Sequence, residues 1–527
     1  MESRSHAFLL AVIAIAIILY PCFIEGTFYS YDAMAHYQRM KDINNQLSHF
    51  NVLPLFDYYS NNWYGYSWNL FYPPLSAYLM GVVKLITLYS ISDANQFKAT
   101  VGIITIIAFI SMYFASLKLL ESKYYASIAS ILFICSGYFL NDAYIRIDIG
   151  ELMAMAFAPM VIVGARAILI DGPGKVLFPV GVLFILLSNI PSFIVCLIYA
   201  VLYFLINIKK SLTKRVLIIL AKSITFVVSS SLFFTIPLIY HFIKGDVFAF
   251  HALAVSYNTI GKFSVSLNEM LFAELLTSGM TTKGLVISSG VVLNILFLCY
   301  IAKRVILDSL ETTSIFIIAT LFLIASTQLF PWYMISEKTP VLRFIQFPWR
   351  LMLMAVPAIA LLSASYLKSI NLPLINYFAL IFSLIFSFSP MQAAIQKRAS
   401  EIQHHEFHDY MNTSFEDAKH NNIKEIQSIK KMDYIKSIKS SWSSLNFDIN
   451  HPENGKIKLP VMYYPGYNAK YNGRDIPVGT SDNGIVTIDG PAQGTIELSY
   501  SKLLTLAPFI LSLASLFSFS FIYFRRR

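Results

Sequence analysis

Apolar runs, each close to the length that crosses a bilayer, alternate with short polar stretches along most of this chain. They fall at about 6–24, 97–118, 124–140, 151–170, 176–189, 191–207, 215–240, 285–302, 312–330, 346–366, 371–389 and 503–524. A helix needs roughly 20 apolar residues to span the hydrocarbon, so the pattern predicts about twelve transmembrane helices. A further apolar stretch, 72–89, is interrupted by Lys84, and counting it as a span would invert the topology of everything after it. Basic residues arbitrate, because short cytoplasmic loops collect Lys and Arg. With 72–89 laid along the outer surface as an interfacial or re-entrant helix, Lys118 and Lys123, Arg166 and Lys175, Lys209, Lys210, Lys214 and Arg215, Lys303 and Arg304, Lys368, and Arg525 to Arg527 all fall inside. The first run follows the basic Arg4 and has no small-residue cleavage site after it, so it reads as an uncleaved first helix.

After residue 390 the pattern changes. Residues 391–440 are charged and read as helical, with His404, His405 and His408 among acids. From Ile457 the chain turns to short alternating runs punctuated by Pro465-Gly466, Asn472-Gly473 and Asp482-Asn483-Gly484, the signature of a small β-sandwich or sheet. The expected fold class is therefore an all-α polytopic membrane protein with a small extracytoplasmic β-rich domain near the C-terminus. Its expected divisions are 1–390 as the transmembrane domain, with an outer first loop at 25–96, then 391–502 as the extracytoplasmic domain, and 503–527 as a final helix with a basic cytoplasmic tail.

Composition narrows the class further. Hydrophobic residues make up 56% and charged residues 13%, with a mean hydropathy of +0.60, against roughly 25% charged in a soluble domain. The net charge of +10 would suggest nucleic acid in a soluble protein. Here many of the cations sit between apolar runs, so no nucleic-acid partner is expected. Cys22, Cys135, Cys196 and Cys299 lie in or beside apolar runs without CxxC spacing, which fits buried small hydrophobes rather than a zinc site or a disulfide framework.

Candidate chemistry gathers at the outer ends of the spans. Asp32 and His36 stand four apart and share one helix face just beyond the first apolar run. Asp148 and Glu151, three apart, would set two carboxylates on one face at the start of a helix with Arg146 close by; an acid there is also a favourable partner for the helix dipole. The run Leu342-Arg343-Phe344-Ile345-Gln346-Phe347-Pro348-Trp349-Arg350 is either an aromatic belt with snorkelling arginines or a clamp for a lipid-linked phosphate. Tyr58, Tyr59, Trp63, Tyr64, Tyr66 and Trp68 either stack on sugar rings or form an interfacial girdle. Carboxylates and cations at a lipid boundary suit a reaction in which a base deprotonates an acceptor hydroxyl while arginines hold a departing phosphate.

The Asp32/His36 loop closing on Phe71-Tyr72-Pro73-Pro74-Leu75, the Arg146 to Glu151 segment, the Gln346 to Arg350 run and Tyr463-Tyr464-Pro465-Gly466 together resemble the bacterial membrane proteins labelled 6-pyruvoyl-tetrahydropterin synthase-related, which are similar to the YfhO family. Both groups look like members of the GT-C superfamily of integral-membrane glycosyltransferases. The resemblance implies a sugar taken from a polyprenyl-phosphate donor on the outer face of a bacterial plasma membrane and passed to a cell-envelope glycan or glycolipid acceptor. It implies Asp32 as general base or metal-contacting carboxylate and Glu151, or Asp148, as the second acid. Arg146 and Arg350 would neutralise the donor phosphate with His36 assisting, and Gln346, Tyr72 and Trp63 would bind substrate. No cofactor is certain. A divalent metal, Mg or Mn, is possible, but a lone first-loop acid followed by His36 is a weaker ligand set for a hard cation than two adjacent carboxylates. A transporter or flippase for lipid-linked polysaccharide, and a non-catalytic assembly factor, are the alternatives. The transporter would place ionisable residues near the midplane of spans and show paired repeats.

Overall fold

A computed structural model describes residues 4–56, 64–245, 247, 249, 256–276, 281, 284–302, 309–400, 409–421, 434–440, 444–451, 454–490 and 493–524. Among the described residues six helices are long and apolar enough to cross a membrane: Asp93–Leu120, Ile149–Ile170, Lys214–Lys244, Pro348–Ile370, Pro373–Gln396 and Lys502–Phe519. A seventh is reached if Lys123–Ile134 and Gly137–Ile145, bent by 53° at their junction, form one broken span. The chain is thus a multi-pass membrane protein, but the expected twelve spans are matched by only six or seven helices of spanning length. The remaining runs fold as shorter apolar helices, Phe8–Ile18, Leu177–Leu186, Ile190–Ile206, Val291–Ala302 and Leu310–Ser326. Ten residues of helix reach about 15 Å into a hydrocarbon core of about 30 Å. Turn residues inside the apolar runs set these limits: Ser188-Asn189 ends one helix, and the Asn189 side chain caps the next by accepting from the Ser192 amide at 3.0 Å. The 72–89 stretch carries a helix at Leu75–Ile86, whose 12 residues are too few to span.

The chain divides into two compact units, each discontinuous in sequence. The first comprises Met1–Tyr37, Val82–Val227 and Ala254–Gln403. Its central element is the Ile149–Ile170 helix, opened by Asp148 at the N-cap and closed by Asp171 in the left-handed region at φ +56°. The helix is buried on nearly all sides because small residues let its neighbours approach. A Cβ added at Gly164 would lie 2.8 Å from the Phe178 Cα and 2.9 Å from the Leu177 carbonyl carbon. Backbone cannot give way as a side chain can, so Gly164→Ala should cost about 1–3 kcal/mol by overpacking. Gly181→Ala, which meets the Val161 side chain at 2.9 Å, should cost less. Thermal unfolding in detergent checks the order of the two.

Two short strands, β1 (Thr27–Phe28) and β2 (Arg398–Ala399), pair antiparallel in this unit. The Arg398 guanidinium donates to the carbonyls of Ile24 at 2.9 Å and Glu25 at 3.0 Å, and Lys98 donates to Ile24 at 2.6 Å. These bonds anchor the chain just ahead of Asp32.

The second unit comprises Gln38–Gly81, Val228–Leu253 and His404–Arg527. Its β region begins at Ile435, earlier than the turn signals from Ile457 suggest. Strands β3 (Ile435–Ser440), β4 (Ser444–Asn450), β6 (Tyr467–Tyr471), β7 (Arg474–Ile476) and β10 (Gln493–Tyr500) form an antiparallel sheet in the order β3-β4-β10-β6-β7. Strands β5 (Gly455–Met462), β8 (Val478–Thr480) and β9 (Ile485–Gly490) form a second in the order β5-β9-β8. Asn472 at φ +47° and Gly473 at φ +81° make the two-residue turn that joins β6 to β7, as their dipeptide predicts. Phe447, Ile449, Ile496 and Leu498 alternate inward to form the core.

Part of the first-loop aromatic set is packing in this unit. Tyr66 meets Trp68 edge-on at 4.8 Å, and Tyr64 lies 5.3 Å from Phe415, all buried. Tyr58, Tyr59 and Trp63, together with His404, His405 and His408, lie outside the described residues.

Candidate active site

Asp32 lies in the first turn of the Tyr31–Ser48 helix, with His36 one turn further on the same face. The segment is fastened to the second acidic region by Ser30, whose hydroxyl donates to the Arg146 carbonyl at 2.5 Å while accepting from the Ala33 amide at 3.0 Å. Arg146 follows a π-helical turn, Asn141–Ile145. Ile147 then sits at φ +61°, a left-handed conformation that costs a β-branched residue about 1–2 kcal/mol. That reversal lets side chains two apart meet: Arg146 Nη2 donates to Asp148 Oδ2 at 2.9 Å.

Arg146 is the hub of the cluster. Its Nε donates to Asp32 at 2.8 Å, its Nη1 to Glu151 at 2.7 Å, and Asp142 lies 3.7 Å from Nη1. Asp148 caps the following helix by accepting from the Glu151 amide at 3.0 Å, and the same oxygen lies 3.3 Å from His36 Nε2. Arg350 approaches from another segment and donates through Nε to Glu151 at 2.8 Å, with its Nη2 3.9 Å from Asp148. Tyr138 donates its hydroxyl to the other Glu151 oxygen. Within this unit the fold therefore brings together Asp32, His36, Arg146, Asp148, Glu151, Gln346 and Arg350. Tyr72 belongs to the second unit, where the Arg39 guanidinium lies 4.1 Å from its ring centroid and donates to Asn69 and the Pro73 carbonyl, both at 3.2 Å. Trp63 lies outside the described residues.

Burial grades these groups. Glu151 and Asp142 are fully enclosed, whereas 31% of the Asp32 side chain remains accessible, so Asp32 is the most exposed carboxylate of the cluster. Desolvation raises the Asp32 pKa above the ordinary carboxylate range, only partly offset by Arg146. At Asp148 burial pushes in the same direction, but Arg146, the His36 hydrogen bond and Arg350 outweigh it and hold the carboxyl well below that range. Two neighbouring acids driven apart in this way take different protonation roles.

Three groups escaped sequence reasoning. Asp142 precedes Arg146 by four residues, a spacing that announces an ion pair on one helical face. Nothing in the sequence marks Tyr138. Phe347 was read only as part of a motif. Its ring covers both guanidiniums, 4.8 Å from Arg350 and 5.6 Å from Arg146, and stacks on Trp349 at 4.6 Å.

Phe347 is held there by an unusual turn. Gln346 has φ +65° and ψ −48°, and the Phe347 amide donates to the Ile345 carbonyl at 2.8 Å, which closes a γ-turn of the strained hand. The Gln346 side chain accepts from Arg350 Nη1 at 2.5 Å. Gln346→Gly should keep or slightly raise the thermal midpoint, because Gly takes positive φ freely, yet it should weaken activity by releasing Arg350. A lower midpoint with unchanged activity would contradict this account of the turn.

The carboxylates do not fit a divalent metal as they are arranged. Among the described residues no group of three or more His, Cys, Asp or Glu is disposed to hold an ion. Their oxygens face guanidinium instead.

No family model matches the chain, and no curated protein matches it. Among solved structures, the Archaeoglobus fulgidus oligosaccharyltransferase tethered to an acceptor peptide aligns with a TM-score of 0.45 and 13% identity over 81% of this chain and 59% of its own. Its apo form aligns with a TM-score of 0.45 and 14% identity over 81% and 60%. The mycobacterial arabinofuranosyltransferase AftD aligns with a TM-score of 0.47 and 15% identity over 79% of this chain and 28% of its own. The chain therefore spans less than two thirds of each of these structures.

Proposed function

We propose that the protein is a membrane glycosyltransferase of the GT-C type that moves a sugar from a polyprenyl-phosphate donor to a cell-envelope glycan or glycolipid acceptor on the outer face of a bacterial plasma membrane. The observation that carries this reading is the accessible Asp32 carboxylate at the edge of an otherwise buried cluster holding two arginines, in a unit built largely of apolar helices. Such a site offers a base toward water and cations toward a lipid-borne phosphate.

In the proposed step Asp32 takes the proton of the acceptor hydroxyl, whose oxygen attacks the anomeric carbon. The bond from that carbon to the phosphate oxygen breaks, the phosphate leaves with the electron pair, and the sugar inverts. No covalent enzyme intermediate is needed. Arg146 has its Nε, Nη1 and Nη2 committed to carboxylates, so its part is to position Asp32, Asp148 and Glu151. The phosphate falls to Arg350, whose Nη2 lies 3.9 Å from Asp148, beyond hydrogen-bond reach.

The test is mass spectrometry of envelope glycans and lipid-linked sugars in cells lacking the protein, complemented with the native chain or with Asp32→Asn. Loss of one sugar decoration, accumulation of the polyprenyl-phosphate sugar and rescue by the native chain alone are expected. Rescue by Asp32→Asn would remove Asp32 from the chemistry and favour transport or assembly.

A further inference from the structure

Glu274 is a buried acid that stands outside the cluster. Glu274 lies in a short 3-10 turn, Ala273–Leu275, between the Leu267–Phe272 helix and the Val291–Ala302 helix, and is almost wholly enclosed. Its Oε2 accepts from the Val291 amide at 3.2 Å and from the Ser288 hydroxyl at 3.4 Å. Its carboxylate also accepts from the Gly137 amide. A Cβ at Gly137 would stand 2.5 Å from Oε1, so Gly is required there for the carboxylate to approach. The same segment is sewn again one residue on, where the Tyr138 amide donates to the Ser288 carbonyl at 2.7 Å.

Gly137 and Tyr138 begin the segment that delivers the Tyr138 hydroxyl to Glu151. Glu151 in turn receives both Arg146 and Arg350. A continuous path of hydrogen bonds thus runs from Glu274 through the backbone at 137–138 to the shared carboxylate of the cluster. We infer that Glu274 is a positioning residue, whose side chain ties the start of the Gly137–Leu140 turn to the 288–291 segment and so holds Tyr138 against Glu151.

The inference rests on the reading of Glu151 as part of the transferase site. Burial pushes the Glu274 carboxyl up to about 7, against the lowering effect of its hydrogen bonds. The elements packed on it carry Glu269, Tyr138, Cys299, Tyr300 and Tyr377 as their titratable side chains. Glu269 is engaged in a capping box with Ser266. Opening the segment returns the carboxyl to its ordinary, lower range, so the closed arrangement binds the proton more tightly: the tie is firmest in mild acid and is loosened as pH rises to about 7.

The test is hydrogen-exchange mass spectrometry of the full chain in lipid nanodiscs, corrected for intrinsic rates and read at 137–145 and 286–291, alongside a pH profile of sugar transfer. In the native chain protection at both segments should fall about tenfold as pH rises from mild acid to neutrality. Glu274→Gln should lack that step and resemble the low-pH native state throughout. Tyr138→Phe should keep the protection step but lose transfer. Transfer by the native chain should show a decline as pH rises to neutrality that Glu274→Gln lacks. Native protection independent of pH, or a step retained in Glu274→Gln, would overturn the proposal. Where Glu274→Gln does not fold, the native titration and Tyr138→Phe still decide it. A protection step without any sugar transfer would leave the tie standing and defeat the transferase reading instead.

Discussion

Asp32→Asn should lower sugar transfer by about 10²–10⁴-fold, the range a positioned base contributes, with little change in thermal midpoint. Asn keeps an oxygen for the Arg146 Nε bond now made at 2.8 Å, so the cluster holds its shape while the proton acceptor is lost. The native enzyme should also lose activity as pH falls through an Asp32 pKa that lies above the ordinary carboxylate range, because the base works only when ionised. That acid limb should vanish in the residual activity of the variant. Single-turnover assays with a defined lipid-linked sugar across pH separate the two effects. Wild-type rates in Asp32→Asn would end the assignment of Asp32 as the base.

Glu151→Ala is the substitution expected to damage the fold most. Glu151 is fully buried and accepts from Arg146, Arg350 and Tyr138, so its loss leaves two enclosed guanidiniums short of a shared counter-charge. Breaking a buried pair from one side costs about 3–5 kcal/mol, a large part of a typical total stability of about 5–15 kcal/mol. Low yield, aggregation on size-exclusion chromatography and a midpoint lowered by many degrees are expected. Glu151→Gln, which keeps volume and one acceptor, should fall between Ala and native. A Glu151→Ala protein with native stability would mean that the three-way contact does not form.

Much of the fold was written in the order of residues. The apolar runs at 97–118, 151–170, 215–240, 346–366, 371–389 and 503–524 correspond to helices of spanning length, because twenty consecutive apolar side chains leave few other soluble arrangements. The Asn472-Gly473 turn followed from the positive φ that its geometry demands. That Asp148 and Glu151 lie at the start of a helix was visible from the apolar run that follows them. The shorter apolar runs carry helices below the long-span length, since composition reports that a segment is apolar but not where a turn cuts it.

What the sequence by itself determined is the membrane class, the position of the longer helices, the C-terminal β region and the residue types gathered near Asp32, Arg146 and Arg350. Those properties depend on local pattern, and local pattern survives in a linear string. Tertiary structure alone decided which groups meet. Asp32 and Arg146, 114 residues apart, and Glu151 and Arg350, 199 apart, become partners only when their helices pack. It also decided the roles. Desolvation raises the partly accessible Asp32, while Arg146, the His36 hydrogen bond and Arg350 hold the enclosed Asp148 low against its burial. The strained backbone at Ile147 and Gln346 persists because the surrounding ion pairs over-determine it, and no residue-by-residue preference would choose it.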